Sequence, residues 1–211
     1  ENYGIYDYRR LYGTNKMQQG YNIPGFNEGL SLMKEGGRAR LLFKSDLGYG
    51  DNIIGPIAAY SSLIIDVELL KVIIDPVLEE YENTIDFLIE NEYSIDTTES
   101  GIFYTEIAEG TGDLILVDDL VTFNIKASLL DGRILYENEN LQFYVGSSEY
   151  ESTAGLSEGI KYMKLGGVSR VIVPYQLAFG PFEKTYYDGF YKVPIPPYST
   201  IVYDVEITLV E

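Results

Sequence analysis

The stretch that decides the fold is Ile23-Pro24-Gly25-Phe26-Asn27-Glu28-Gly29-Leu30, running on through Met33-Lys34-Glu35-Gly36-Gly37-Arg38-Ala39-Arg40 to Leu47-Gly48-Tyr49-Gly50. It occurs twice. The second copy reads Thr153-Ala154-Gly155-Leu156-Ser157-Glu158-Gly159-Ile160, then Met163-Lys164-Leu165-Gly166-Gly167-Val168-Ser169-Arg170, then Leu177-Ala178-Phe179-Gly180, at a constant offset (155 − 25 = 130). Each copy ends alike, in Pro56-Ile57 to Asp66-Val67-Glu68-Leu69 and in Pro194-Ile195 to Asp204-Val205-Glu206-Ile207, where the offset has grown (195 − 57 = 138), so the second copy carries eight extra residues in the preceding loop. A long period repeated only twice implies two homologous domains and not a solenoid.

The 211 residues carry a net charge of −18. Acidity of this degree speaks against nucleic-acid binding, which needs basic surface, and against electrostatic docking on anionic membranes. With no Cys and no His, disulfides, thiolate nucleophiles, haem, zinc clusters and imidazole bases are excluded. No cofactor and no metal are expected. The acidic runs Asp118-Asp119 and Glu137-Asn138-Glu139-Asn140 lack the spacing and central glycine of a calcium loop and read as solvated turns. No apolar run is long enough to span a bilayer; Leu63 to Ile74 is interrupted by Asp66, Glu68 and Lys71.

Along the chain, Ile5 to Leu11 alternates as a strand, and the repeated helix opens at Pro24-Gly25, with Gly36-Gly37 as its stop. Arg38 to Phe43 and Leu63 to Val72 read as strands, the latter buried. Asp75-Pro76 reads as an N-cap and first helical position. The helix runs to Asn91 with an apolar stripe of Val77, Leu78, Tyr81, Ile85 and Leu88, which either docks on a domain or forms a coiled-coil seam. Strands follow at Ile102 to Ile107, Leu120 to Leu130, Arg133 to Tyr136, Leu141 to Val145, Val168 to Val173 and Thr200 to Val210, around a helix from Gly155 to Lys164. The pattern is α+β: two domains, each an antiparallel sheet around one short helix, at 1–74 and 99–211, joined by a helix and turn at 75–98. The aromatic loop Tyr186-Tyr187-Asp188-Gly189-Phe190-Tyr191 reads equally as a peptide-gripping flap or as self-packing. The first copy is short. Between Tyr8 and Gly25 there is no room for the strands that separate Ile125 from Gly155, so residues are expected to be missing between Arg10 and Gln19, or the domain to be truncated.

The repeated block, with Ser100-Gly101-Ile102-Phe103-Tyr104, Glu109-Gly110-Thr111-Gly112, Leu130-Asp131-Gly132-Arg133 and Ile195-Pro196-Pro197, resembles the FKBP-type peptidyl-prolyl cis–trans isomerases. The first copy resembles the C-terminal half of such a domain and the second a whole one. The connecting helix followed by Glu99-Ser100-Gly101 is similar to tandem FKBP-like envelope proteins and lipoproteins of Bacteroidetes-type bacteria. The resemblance implies a half-barrel sheet around a helix, with a substrate proline held in an apolar pocket between them. It implies proline-containing polypeptides as partners, a monomer, and a place in the bacterial periplasm or outer envelope. Membrane contact is then expected only through a removed lipid anchor.

Carried over by position, the resemblance makes Phe26 the pocket floor of the first copy, Ile23 the backbone donor to the substrate carbonyl, Tyr49 the hydroxyl, and Ile57 and Ile65 walls. In the second copy it assigns Ile125, Leu135, Tyr136, Phe143, Leu156, Phe179, Ile195 and Tyr203 to substrate contact. Here the usual floor tryptophan is Leu156, the loop tyrosine is Phe179, and Leu135-Tyr136 stands where Phe-Asp is usual. Weak turnover, residing mainly in the first domain, is the expectation. The alternative is an FKBP-fold chaperone or peptide-binding module without efficient turnover.

Overall fold

The computed structural model describes residues 23–147, 154–188 and 191–211. The strand expected at Ile5 to Leu11 and the segment between Arg10 and Gln19 lie outside the described residues. The chain separates into two compact units, 1–74 and 75–211.

In the first unit, α1 (Pro24–Ser31) leads into β1 (Arg38–Phe43), a 3-10 turn (Ser45–Leu47) and β2 (Leu63–Glu68). Pro24 occupies the first turn, where its missing N–H is no loss. The helix stops at Leu32, well before the glycine pair expected to end it; Gly36, at φ +75°, serves the turn into β1 instead. β1 and β2 pair antiparallel, with Arg38 opposite Glu68 and Arg40 opposite Asp66. Both pairs close as ion pairs, at 3.0 and 2.6 Å. β2 is shorter than expected and is not a buried strand: its residues alternate between half-buried and exposed, with Ile64 facing solvent.

In the second unit, five antiparallel strands run in the order β3-β6-β9-β4-β5. They are β3 (Phe103–Ala108), β4 (Leu120–Leu129), β5 (Ile134–Tyr144), β6 (Val168–Val173) and β9 (Ile201–Val210). The pleat divides their side chains. Val171, Val173, Ile201, Tyr203, Val205 and Ile207 pack with Leu156 and Ile160 of α3 (Ala154–Ile160), whereas Phe103, Ile172 and Val202 pack with Leu88 of α2 (Pro76–Glu90). The sheet thus carries a helix on each face. Two separate strands were expected over 133–145, but β5 is continuous. The stretch Glu137 to Asn140 is therefore no turn: it bulges, with Asn140 at φ +55° and the register slipping opposite Phe123 and Ile125.

The helix expected to open at Asp75-Pro76 does so, with Asp75 accepting from the N–H groups of Val77 and Leu78. Its buried stripe differs from the expected one. Val77, Leu78 and Tyr81 are exposed, and Glu80, Thr84 and Leu88 face the sheet, with Ile85 partly covered. Glu80 and Thr84 are admitted there because they hydrogen-bond to Thr200, as polar groups in an interior must.

The eight extra residues of the second copy are also accounted for. In the first copy Ile54 and Ile57 close a tight turn by reciprocal backbone bonds of 3.1 and 2.9 Å. In the second, a hairpin of β7 (Lys184–Asp188) and β8 (Tyr191–Ile195) stands in the same place, a two-stranded sheet of its own.

Candidate functional site

The site in each unit begins with a helix laid almost directly on a strand. A β-carbon on Gly25 would lie 2.5 Å from Phe43, and one on Gly29 would lie 2.5 Å from Leu41. In the second unit Gly155 and Gly159 approach Val173 and Val171 in the same way, at 2.2 and 2.6 Å. Glycine at these positions lets the helix sit low on the strand, and Leu156 beside Gly155 is buried in the apolar cluster.

In the second unit, Ile125 (β4), Leu135 (β5), Leu156 (α3), Ile195 (β8) and Tyr203 (β9) come together in one apolar cluster, each 4 % exposed or less. Tyr136, Phe143, Phe179, Tyr186 and Val193 pack against it from outside, partly buried. The Tyr136 and Tyr186 rings stack at 4.5 Å and 26°, and Phe143 meets Phe123 edge-on at 5.2 Å. The hydroxyls of Tyr136 and Tyr203 are hydrogen-bonded, and burial pushes the Tyr136 phenol up to about 12 and that of Tyr203 well above its ordinary value. The eight residues assigned to this copy by resemblance therefore share one apolar cluster, drawn from five elements and the loop that bears Phe179. Tyr186 was legible only as part of an aromatic loop; its stack on Tyr136 brings the hairpin into the site. Of the remaining residues in that loop, Gly189 and Phe190 lie outside the described residues.

In the first unit Ile23 is the N-terminal boundary residue of α1, its carbonyl accepting from the N–H groups of Phe26 and Asn27 at 3.1 Å each. Ile23, Phe26, Tyr49, Ile57 and Ile65 are all half-buried. The loop bearing Tyr49 is built like the one bearing Phe179. Gly50 donates to the Ser45 carbonyl and Gly180 to that of Tyr175, each at 2.8 Å, with both glycines at positive φ. Among the described residues of this unit no strand pairs with the other edge of β2, where β4, itself paired with β5, lies beside β9 in the second unit.

Two surface hollows of the second unit have other linings. One is formed by Thr111, Leu114, Leu116, Leu165 and Val210 among others. The other is acidic, with Glu137, Glu139, Asp204 and Glu206 beside Lys126, and touches the apolar cluster at Ile125 and Val205. Neither offers three clustered carboxylates able to hold a metal among the described residues. Apolar rings with few polar handles can desolvate a peptide segment; they offer no nucleophile and no proton relay.

Comparison with known proteins agrees with this geometry. The family model described as FKBP-type peptidyl-prolyl cis-trans isomerase matches residues 13–70 and 115–208, most of the chain and once in each repeat. The chain is 32% identical over 117 residues to the FKBP-type peptidyl-prolyl cis-trans isomerase FkpA of Escherichia coli K12, covering 55% of this chain and 40% of FkpA. It is 27% identical over 194 residues to peptidyl-prolyl cis-trans isomerase FKBP9 of Mus musculus, covering 90% of this chain and 29% of that protein. The chain therefore spans less than half the length of these relatives. Among solved structures, FkpA from Escherichia coli superposes with a TM-score of 0.51 at 26% identity, over 64% of this chain and 61% of that one. The repeated glycine-backed helix, the apolar cluster beside it and the match over both repeats have one meaning: the chain belongs to the FKBP-type peptidyl-prolyl cis-trans isomerase family.

Proposed function

We propose that the protein catalyses cis–trans isomerisation of X–Pro bonds in polypeptides. The observation that carries this reading is the family match over both repeats, together with the gathering of Ile125, Leu135, Leu156, Ile195 and Tyr203 beside α3. The chemistry suits a chain without His or Cys. The barrier to rotation is about 18–20 kcal/mol because twisting the bond destroys amide resonance. The twisted amide is less charge-separated than the planar one, so a dry apolar enclosure favours it. A rate gain of about 10⁴ requires roughly 5–6 kcal/mol of binding expressed only in the twisted state.

In the second unit Leu156 is the floor under the proline ring, with Ile125, Leu135, Ile195 and Tyr203 as walls and Tyr136, Phe143 and Phe179 at the rim. In the first unit Phe26 is the floor, Tyr49 the hydroxyl donor, Ile23 the backbone donor, and Ile57 and Ile65 the walls. Turnover is weak: the second unit lacks a loop hydroxyl at Phe179, and the first shows only part of an enclosure among its described residues. The substrates are exported polypeptides of the bacterial periplasm or outer envelope. The protein acts as a monomer, held to a membrane, if at all, by a lipid anchor, in the manner of tandem envelope proteins of Bacteroidetes-type bacteria. No described helix is long and apolar enough to cross a bilayer.

A second reading is favoured by the substitutions at Tyr136 and Phe179. An apolar cluster that grips without orienting gives binding with little rate, the behaviour of a chaperone module. A prolyl-peptide assay run beside a refolding assay on an unfolded protein separates the two. Acceleration of prolyl turnover supports the enzyme; suppression of aggregation without it supports the binding module.

A further inference from the structure

We propose that Glu80, on the helix that joins the two repeats in sequence, is a positioning residue for the proline pocket of the second unit, an assignment that rests on the isomerase reading above. Glu80 is 8 % exposed, and its Oε1 accepts the backbone N–H of Thr200 at 2.6 Å. A buried carboxylate is tolerated only where hydrogen bonds replace its water, and such charge-assisted bonds are short and strong. Thr84, one turn further along, donates its hydroxyl to the Glu80 carbonyl at 2.7 Å. Its oxygen lies 3.0 Å from Thr200 Oγ1, so with its own proton committed it accepts from the Thr200 hydroxyl. One helix thus holds one residue by both its backbone and its side chain.

Thr200 closes the turn between β8 and β9. Tyr198 in that turn has φ +59°, a conformation costly for a residue with a side chain. The turn is tied by the Ser199 hydroxyl donating to the Pro196 carbonyl at 2.8 Å and by the Tyr198 ring edge-on to Tyr175 at 5.1 Å. On one side of it stands Ile195 and on the other Tyr203, two walls of the apolar cluster, 0 % and 1 % exposed. A turn strained at Tyr198 keeps one geometry only when its surroundings over-determine it. Anchoring Thr200 from the sheet's far face sets how Ile195 and Tyr203 approach each other. The first copy repeats the strained turn, with Tyr60 at φ +62°. There Tyr60 is 75 % exposed, and the corresponding walls Ile57 and Ile65 are only half-buried.

The test is made on the full chain with Glu80→Ala, Glu80→Gln and Thr84→Val, each checked for folding by circular dichroism and assayed on a prolyl tetrapeptide well below its melting temperature. The Ile195 methyl resonance is followed in isotope-labelled protein. Folded Glu80→Ala, read in a Phe26→Ala background so that the second unit's turnover is isolated, is expected to move the Ile195 methyl signal and to lower kcat/KM about five-fold, mainly through KM, because the wall's contact with the proline ring is the same whether the neighbouring amide is planar or twisted. Glu80→Gln, which keeps an oxygen for the Thr200 N–H, is expected to stay within about two-fold of the unsubstituted protein. Should Glu80→Ala not fold, Thr84→Val carries the same expectations. A folded Glu80→Ala with unchanged KM or an unmoved Ile195 methyl overturns the assignment, as does Glu80→Gln failing like Glu80→Ala. If the unsubstituted chain turns over no prolyl peptide, the isomerase reading itself fails and this assignment with it. Turnover that is equal with and without Glu80→Ala in the Phe26→Ala background defeats the positioning role alone.

Discussion

Gly155 crosses Val173 so closely that a β-carbon on it would fall 2.2 Å from Val173 Cγ1. Both atoms lie inside the helix–sheet contact, so neither can retreat into solvent. Gly155→Ala should therefore destabilise the second unit by about 1–3 kcal/mol, the range for overpacking a filled core. Trimming the partner in Gly155→Ala/Val173→Ala should recover part of that loss. Urea unfolding of the three proteins measures it; a single substitution without effect on the midpoint would show that the helix can lift off the strand freely.

The Asp75 carboxylate accepts from the Val77 and Leu78 N–H groups at 3.1 and 3.0 Å. Asp75→Ala should cost about 1 kcal/mol of stability, as loss of an N-cap does, and Asp75→Asn much less. The ordering of the two variants in thermal melting is the check.

Tyr136 and Tyr203 share a hydrogen bond in the apolar cluster, with burial raising both phenols. A group whose folded pKa lies above its unfolded value adds stability that is complete below the unfolded value, near 10, and is lost as pH rises through the folded one, about 12 for Tyr136. Stability should fall between those two pH values. Absorbance at 295 nm should show tyrosines that resist ionisation until the protein unfolds. Tyr136→Phe should weaken the alkaline fall. A tyrosinate titration complete below pH 11 in folded protein would count against the buried pair.

Much of this was legible in the sequence. The duplication and the strands over Arg38 to Phe43 and Val168 to Val173 could be read directly; that Gly25, Gly29, Gly155 and Gly159 let the helix lie on the strand, and that Arg40–Asp66 and Arg170–Asp204 pair across it, the second bidentately at 2.6 and 2.8 Å, shows only in the folded chain. The shift in offset marks an insertion. That the insertion is a hairpin was hidden, since Tyr186 and Val193 show their inward face only once the strands pair. The buried face of α2 was hidden for another reason. Apolar spacing favours Val77, Leu78 and Tyr81, but the partner that admits Glu80 and Thr84 is Thr200, 120 and 116 residues away, and no local pattern announces a bond of that span. The bulge at Asn140 likewise depends on Asn124, whose Oδ1 accepts the Asn140 N–H at 3.1 Å.

Removing a floor or a hydroxyl should separate the contributions of the two units. Phe26→Ala should lower any turnover of the first unit strongly. Tyr49→Phe should lower it modestly, by the roughly 0.5–1.5 kcal/mol of one net hydrogen bond. Phe179→Ala should act on the second unit alone. Kinetics of the three variants, and of the combined Phe26→Ala/Phe179→Ala protein, assign the activity; identical rates in all four would mean that none of these side chains meets the substrate.

The most direct measurement is the rate of cis-to-trans conversion of a prolyl tetrapeptide as a function of concentration of the full chain. A catalysed rate that rises linearly with protein and drops in Phe26→Ala/Phe179→Ala is the expected result. A rate equal to that of the free peptide at every protein concentration, with the protein shown to be folded, would contradict the assignment of isomerase activity.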